Sequence, residues 1–127
     1  MSNTTKTGKE RPETARERKN LLDQITAFAE DHLAEKITLR MIASHFSVSV
    51  STITQLFQKK TQSTFHHFLT GLRMEKARTL IRDGLPLEMV GRAIGYRDHS
   101  TFYRAFRQTF GLSPREYRKT IHPEATE

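Results

Sequence analysis

The sequence predicts an all-α fold of seven helices, which form two helix-turn-helix units joined by a long linker helix. Apolar residues recur at the three- and four-residue spacing of amphipathic helices, and no segment alternates as a strand would. An internal repeat covers both units. The 127 residues suffice for two small subdomains that share a helix, and are too few for a sensor domain beside them. We therefore expect protein abundance, rather than a bound small ligand, to set the activity.

Composition and periodicity predict five segments along the chain. These are a flexible basic arm (1–13), a first helix-turn-helix subdomain (14–63), a linker helix (64–83), a second helix-turn-helix subdomain (84–121) and a tail (122–127). The opening helix of the first subdomain carries one apolar stripe, formed by Leu21, Leu22, Ile25, Phe28, Ala29 and Leu33.

The next two helices form the first predicted pair. Thr38 and Ser49 are suitable N-caps, because a side-chain oxygen can accept a hydrogen bond from an unpaired N–H of the first turn. Ser47 and Val48 leave room only for a tight turn between the helices. The predicted inward side chains are Leu39, Ile42, Ala43, Phe46, Ile53, Leu56 and Phe57.

A longer helix is predicted from about Phe65 to Asp83, and Gly84 is expected to end it. Its predicted buried side chains are Phe68, Leu72, Ala77, Leu80 and Ile81. Pro86 marks the start of the second pair, whose predicted inward residues are Leu87, Val90, Gly91, Ile94, Phe102, Ala105 and Phe106. Ser113 and Pro114 open a last short helix, since proline is tolerated at the first helical position.

The internal repeat is the strongest signal in the chain. At an offset of 49 residues, segment 49–57 pairs with segment 98–106. Upstream of the turn the offset is 48, which pairs Ala43 with Gly91 and makes the second turn one residue longer. Helix-turn-helix pairs need a small residue where their helices cross closely. A tetratricopeptide-like stack is disfavoured, because its period is about 34 residues and it needs three or more copies.

The charge of the chain favours a polyanionic partner. The net charge is +7 and the sequence pI is about 10.1, and basic side chains gain affinity for nucleic acid by releasing its counterions. A merely basic surface is the alternative. The chain has no cysteine, no apolar run of about 20 residues and no secretory signal at its start. These observations favour a cytoplasmic, nucleoid-associated protein without membrane contact.

Three stretches resemble the DNA-binding domain of the AraC/XylS family of bacterial transcription regulators. They are residues 95–107 (GYRDHSTFYRAFR), 111–118 (GLSPREYR) and 73–77 (RMEKA). The resemblance implies two subdomains that each place a recognition helix in successive major-groove segments on one face of double-stranded DNA. It also implies an activator that binds DNA as a monomer and contacts RNA polymerase. Gln62 departs from the family's usual glycine, and Gly91 from its commoner alanine.

The outward residues of the two recognition helices are the candidate base contacts. Gln55 can donate to and accept from adenine, Arg104 can donate twice to guanine, and the Thr54 methyl can pack against thymine. Arg104 serves a phosphate equally well. The full candidate set is Ser51, Thr52, Thr54, Gln55, His99, Ser100, Tyr103 and Arg104.

Phosphate contacts are expected from basic residues around these helices. Residues 97–119 hold six basic and two acidic side chains, a net charge of +4. The phosphate candidates are Arg40, Lys59, Lys60, Arg97, Arg107 and Arg115. Arg73 and Arg118 are as well suited to bracing the fold.

No catalytic, cofactor or metal site is expected. His66 and His67 are adjacent and diverge by about 100° on a helix. No phosphate-binding glycine loop or Ser-His-Asp group is present. The alternatives to a DNA-binding regulator are a helical protein-interaction module and the DNA-binding part of a repair system. The missing cysteines disfavour the latter.

Overall fold

The computed structural model describes residues 15–61 and 63–124, with side chains from Asn20 onward. All regular structure in these ranges is helical, which confirms the predicted all-α fold. Its seven helices are α1 (Ala15–Asp31), α2 (Leu39–His45), α3 (Val50–Lys60), α4 (Phe65–Arg82), α5 (Leu87–Ala93), α6 (His99–Phe110) and α7 (Pro114–Ile121). None of them is long and apolar enough to cross a membrane. The predicted arm (1–13), the family departure at Gln62 and the last three residues of the predicted tail lie outside the described residues.

Five helices begin at side-chain caps. In each case an oxygen of the cap accepts a hydrogen bond from the N–H three residues later, which satisfies one of the unpaired donors of the first turn. The caps are Thr38, Ser49, Thr64, Asp98 and Ser113. α7 has a full capping box, because the Glu116 carboxylate accepts from the Ser113 N–H in return. The helix starts predicted from Thr38, Ser49 and Ser113 are confirmed.

Helix α4 takes part in two separate hydrophobic cores. Phe65 and Leu69, in its first half, are buried with residues of α1, α2 and α3. Met74, Ala77 and Ile81, in its second half, are buried with residues of α5 and α6. Each helix-turn-helix unit therefore has its own core, and α4 belongs to both.

The predicted buried stripe of α4 is partly wrong for this reason. Phe68, Leu72 and Leu80 are only half-buried, whereas Ala77 and Ile81 are buried as expected. A single stripe assumes that one face of the helix meets one core. Phe65 and Met74 instead lie about 180° apart around the helix axis, at 3.6 residues per turn, so the two cores use different faces.

One residue of the predicted α1 stripe, Leu33, lies beyond the end of the helix. The helix ends at Asp31, and Leu33 lies in the turn that follows, although its side chain is buried. That turn is held by a hydrogen bond from the His32 N–H to the Ala29 carbonyl, 3.0 Å long. Core packing, rather than helical periodicity, accounts for the apolar residue at this position.

The two helix-turn-helix turns have the same backbone design. Ser47 and Gly95, which correspond in the repeat, both have positive φ, at 57° and 96°. The N–H of the next residue then bonds the carbonyl of Ala43 in one unit and of Gly91 in the other, at 2.9 Å in both. The 48-residue offset therefore continues through these bonds to Tyr96. Arg97 is the additional residue of the second turn.

Gly91 stands where the helices of the second pair cross most closely. A Cβ at this position would lie 3.3 Å from the ring of Phe102. The first unit has Ala43 and the smaller Ile53 at the corresponding positions, and all four residues are buried. The larger aromatic ring on α6 explains why the second unit carries glycine where the first carries alanine.

Arg73 and Gly95 join the two units. The Arg73 guanidinium donates hydrogen bonds to the carbonyl oxygens of Leu33, at 3.3 Å, and Glu35, at 3.0 Å. Gly95 lies so close that a Cβ there would overlap the Leu33 carbonyl oxygen. The turn of the second unit thus packs directly against the α1–α2 connection of the first.

Arg118 and His122 connect the region of α7 to the end of α4 and to the α4–α5 connection. The Arg118 side chain is buried, and its guanidinium donates to the Leu85 carbonyl in the α4–α5 connection. His122, directly after α7, lies 3.0 Å through Nε2 from the Arg82 carbonyl at the end of α4. Arg73 and Arg118 therefore brace the fold, one of the two roles the sequence suggested for them.

Candidate nucleic-acid interface

Helix α3 presents a polar, uncharged face to solvent. Its apolar face is buried in the first core, which leaves Ser51, Thr54 and Gln55 exposed on the other side. Thr52 is half-buried, and its hydroxyl lies 2.9 Å from the Ser49 hydroxyl in the N-cap. Among the candidate base contacts of this helix, three side chains are therefore free to project outward, and one hydroxyl is engaged in capping.

Helix α6 presents an aromatic and basic face. His99, Ser100 and Arg104 are exposed, and the half-buried ring of Tyr103 lies against His99 with 4.4 Å between ring centroids. Phe102, on the opposite side, is fully buried. All four candidate base contacts of α6 thus lie on one continuous surface.

The six candidate phosphate contacts are all exposed. Arg40 lies in the first turn of α2, and Arg115 in the first turn of α7. Lys59 and Lys60 end α3, Arg97 lies in the second helix-turn-helix turn, and Arg107 lies in the last turn of α6. Among the described residues, no carboxylate lies within 4.0 Å of any of them or of Arg104. Their charges are therefore available to an external anion.

Two carboxylates at the starts of α6 and α7 are held in the ionised form. The Thr101 hydroxyl and N–H both donate to Asp98, at 2.7 and 3.1 Å, and these bonds lower the pKa of Asp98. The Ser113 N–H donates to Glu116 at 2.8 Å and lowers the pKa of Glu116. Arg104 and Arg107 add weaker stabilisation to Asp98 and Glu116 respectively. Because both carboxylates are engaged in capping, they leave these arginines without a close counterion.

Three exposed residues of this surface were not among the candidates from the sequence. Val50, the first residue of α3, is 40% exposed and corresponds to His99 in the repeat, so the 49-residue offset could have identified it. Lys36 and Arg92 lie between the two units. Only the tertiary arrangement brings them together, because they are far apart in the sequence.

Comparison with known proteins agrees with this arrangement. A family model described as a helix-turn-helix domain matches residues 42–120. The chain is 32% identical over 116 residues to the uncharacterized HTH-type transcriptional regulator YijO of Escherichia coli K12. The matched region covers 91% of this chain and 41% of YijO. The chain is also 36% identical over 100 residues to the HTH-type transcriptional activator RhaS of Salmonella agona. This matched region covers 77% of this chain and 36% of RhaS.

The fold is also that of a solved regulator domain. The C-terminal domain of AraT, a response regulator from Geobacillus stearothermophilus, is 28% identical, with a TM-score of 0.73 over 84% of this chain and 91% of that domain. The chain spans 41% or less of the curated relatives described above. The family model covers more than half of the chain and includes most of both helix-turn-helix units. The chain therefore belongs to the AraC-type helix-turn-helix family of transcription regulators.

Proposed function

We propose that this protein is a sequence-specific, double-stranded DNA-binding transcription regulator that places α3 and α6 in two successive major-groove segments. The observation that carries the proposal is the pair of exposed polar helix faces, one in each unit, held on a shared helix. α4 has 18 residues and so extends about 27 Å. This length is comparable to the roughly 34 Å between successive major-groove segments. One monomer is then sufficient for both segments.

The two recognition helices differ in the bases they suit. Gln55 on α3 offers the donor and acceptor pair that matches adenine N6 and N7, and the Thr54 methyl suits the thymine methyl. Arg104 on α6 suits guanine O6 and N7. The remaining candidates, Ser51, Thr52, His99, Ser100 and Tyr103, are short or amphipathic side chains that suit groove edges. α6 therefore favours guanine, and α3 favours adenine and thymine.

The exposed basic residues around the two helices would position the protein on the DNA. Phosphate contacts by Arg40, Lys59, Lys60, Arg97, Arg107 and Arg115 fix register without distinguishing sequences. Three of these residues lie in each unit, but Arg104, Arg118 and Lys119 add basic charge to the second unit, where residues 97–119 carry a net charge of +4. The second unit supplies most of the affinity, and the first adds discrimination.

We further propose that the protein activates transcription through contact with RNA polymerase, in the cytoplasm at the nucleoid. The support is the similarity to RhaS, a protein named as a transcriptional activator. Transcription in vitro from a promoter that carries the selected site should increase when the protein is added. A decrease would identify a repressor instead.

The central experiment removes one base contact from each unit. A preferred duplex is first selected from a random library with the wild-type protein, and binding is compared with a scrambled duplex. The double variant Gln55→Ala and Arg104→Ala should lose the preference at least tenfold, because each bidentate contact discriminates by about 1–3 kcal/mol. The double variant Gln24→Ala and Arg82→Ala removes the same groups at exposed positions of α1 and α4, and should keep the preference.

Two results would contradict the proposal. One is an unchanged preference in a Gln55→Ala and Arg104→Ala protein whose circular dichroism spectrum remains helical. The other is the absence of any binding to duplex DNA at about 50 mM salt, where phosphate contacts are strong. The second result would favour a protein-interaction module.

A further inference from the structure

A basic cleft lies at the junction of the two helix-turn-helix units. It has a volume of about 800 Å³ and lies between the α1–α2 connection, α4 and the turn of the second unit. We call it the junction cleft. Its cationic and titratable basic side chains are Lys36, His66, Arg73, Arg92 and Arg97. Glu35 is the one acidic residue among those that line it.

The positive charge of the junction cleft is not neutralised within the described protein. No carboxylate lies within 4.0 Å of Lys36, Arg92 or Arg97 in the described ranges, and all three side chains are exposed. Arg73 is held at the wall of the cleft by two backbone carbonyls, and its partial burial lowers its pKa. A half-buried guanidinium bonded only to neutral oxygens remains charged and attracts an anion.

The junction cleft is lined by residues that lie close in sequence to both candidate recognition helices. His66 belongs to the first turn of α4, directly after the short connection that follows α3. A smaller recess of about 280 Å³ shares Arg92, Tyr96 and Arg97 with the cleft and reaches His99, the first residue of α6. Its acidic lining residues are Glu88 and Asp98, and Asp98 is engaged in capping α6. A linear polyanion that passes from α3 to α6 would therefore meet the cleft between them.

We propose that the junction cleft binds the phosphodiester backbone of the DNA segment between the two major-groove half-sites, through Lys36, Arg92 and Arg97. This inference rests on the proposed function. The three side chains offer donors and charge but no acceptor, which suits phosphate oxygens better than base edges. Arg73 adds a fixed positive charge at the wall. The cleft thus contributes affinity at base pairs that neither recognition helix touches.

The first arm of the test measures salt dependence. The double variant Lys36→Ala and Arg92→Ala should reduce the slope of log K against log salt by about 1.8, since each lost phosphate contact removes about 0.9. Arg82→Ala is the control, because Arg82 is an exposed arginine on α4 that does not line the cleft. It should leave the slope unchanged. Circular dichroism checks that each variant is folded.

The second arm locates the contact on the DNA. Single phosphates of the selected duplex are replaced by neutral methylphosphonates, one position at a time. For the wild-type protein, substitution at phosphates between the half-sites should weaken binding several-fold. For the double variant Lys36→Ala and Arg92→Ala, the same substitutions should weaken binding clearly less than in the wild type, because two of the three proposed contacts are already lost and only Arg97 remains.

The outcomes separate this inference from the proposed function. If the wild type selects a duplex but the cleft variant keeps the same slope and the same methylphosphonate profile, the cleft inference is overturned and the proposed function stands. If the wild type binds no duplex at about 50 mM salt, the proposed function fails and the cleft inference fails with it. A reduced salt slope, together with a weaker effect of methylphosphonates between the half-sites, supports both.

Discussion

Single residues at the junction decide how the two units fit together, and Gly95 is the clearest of them. Its φ of +96° is unfavourable for residues with a Cβ, and the space that a Cβ would occupy is filled by the Leu33 carbonyl and the Arg73 guanidinium. Gly84 has a similar φ of +93° with open space around it. An alanine would meet backbone strain at both positions, but steric overlap only at Gly95, so comparing the two substitutions distinguishes the two effects.

We expect Gly95→Ala to destabilise the protein more than Gly84→Ala. Alanine at Gly84 should cost about 1–2 kcal/mol from the left-handed backbone alone. Alanine at Gly95 adds the overlap with Leu33, which should raise the cost to roughly 3 kcal/mol or more. Urea unfolding followed by circular dichroism measures both values. Equal losses for the two variants would mean that the contact between the units is not as close as the structure places it.

The two units use chemically different caps for corresponding helices. Ser49 caps α3, and Asp98 caps α6 with an ionised carboxylate. The Thr101 hydroxyl and N–H lower the pKa of Asp98 in the folded protein. A group with a lowered folded pKa stabilises the fold above its unfolded pKa, about 3.9, and this contribution is lost as pH falls through the folded value. The second unit is therefore the acid-sensitive one.

We expect Asp98→Ser to reduce the acid sensitivity of the protein. Serine keeps the cap, as Ser49 does in the first unit, but it does not titrate. The stability of the wild type relative to the variant should be greatest near pH 7 and should decline below about pH 4. Urea midpoints at pH 7 and pH 3 measure the change. The variant should keep some acid sensitivity, because the pKa of Glu116 is also lowered. If the urea midpoint falls equally in both proteins between pH 7 and pH 3, the Asp98 carboxylate is not coupled to folding.

Helix starts and turns could be predicted from the sequence, whereas burial that depends on distant segments could not. Helix starts depend on local hydrogen bonds, so Thr38 and Ser49 are sufficient to predict the starts of α2 and α3. The internal repeat predicts both turns, because its offset changes from 48 to 49 residues at the turn and this change can be read directly from the sequence. The burial of Leu33 outside α1, and of Met74 on the second face of α4, depends on packing with distant segments. No local pattern contains that information.

Part of the candidate site could also be predicted from the sequence, and part could not. The outward faces of α3 and α6 follow from helical periodicity once the buried residues are known, so Gln55 and Arg104 could be proposed from the sequence. The junction cleft could not, because Lys36 and Arg92 are brought together by contacts of Arg73 and Gly95 with the α1–α2 connection. The junction cleft is therefore a property of the tertiary fold.

At the scale of the whole molecule, the two units are held in one fixed arrangement. α4 contributes side chains to both cores, and Arg73 bonds the α1–α2 connection at the point on α4 between those two sets of side chains. If the protein binds one DNA half-site with each unit, as proposed, this arrangement leaves little freedom to change the distance between α3 and α6. The spacing between half-sites should therefore matter as much as their sequences.

We expect insertion of five base pairs between the half-sites of the selected duplex to weaken binding at least tenfold. Five base pairs turn one half-site by about half a helical turn, to the opposite face of DNA with about 10.5 base pairs per turn. The same insertion outside both half-sites is the control and should have no effect. Arg73→Ala, which removes the bonds to Leu33 and Glu35, should tolerate a one-base-pair insertion better than the wild type does. If the wild type binds the five-base-pair insertion as tightly as the parent duplex, the units act independently, and α4 connects them without fixing their separation.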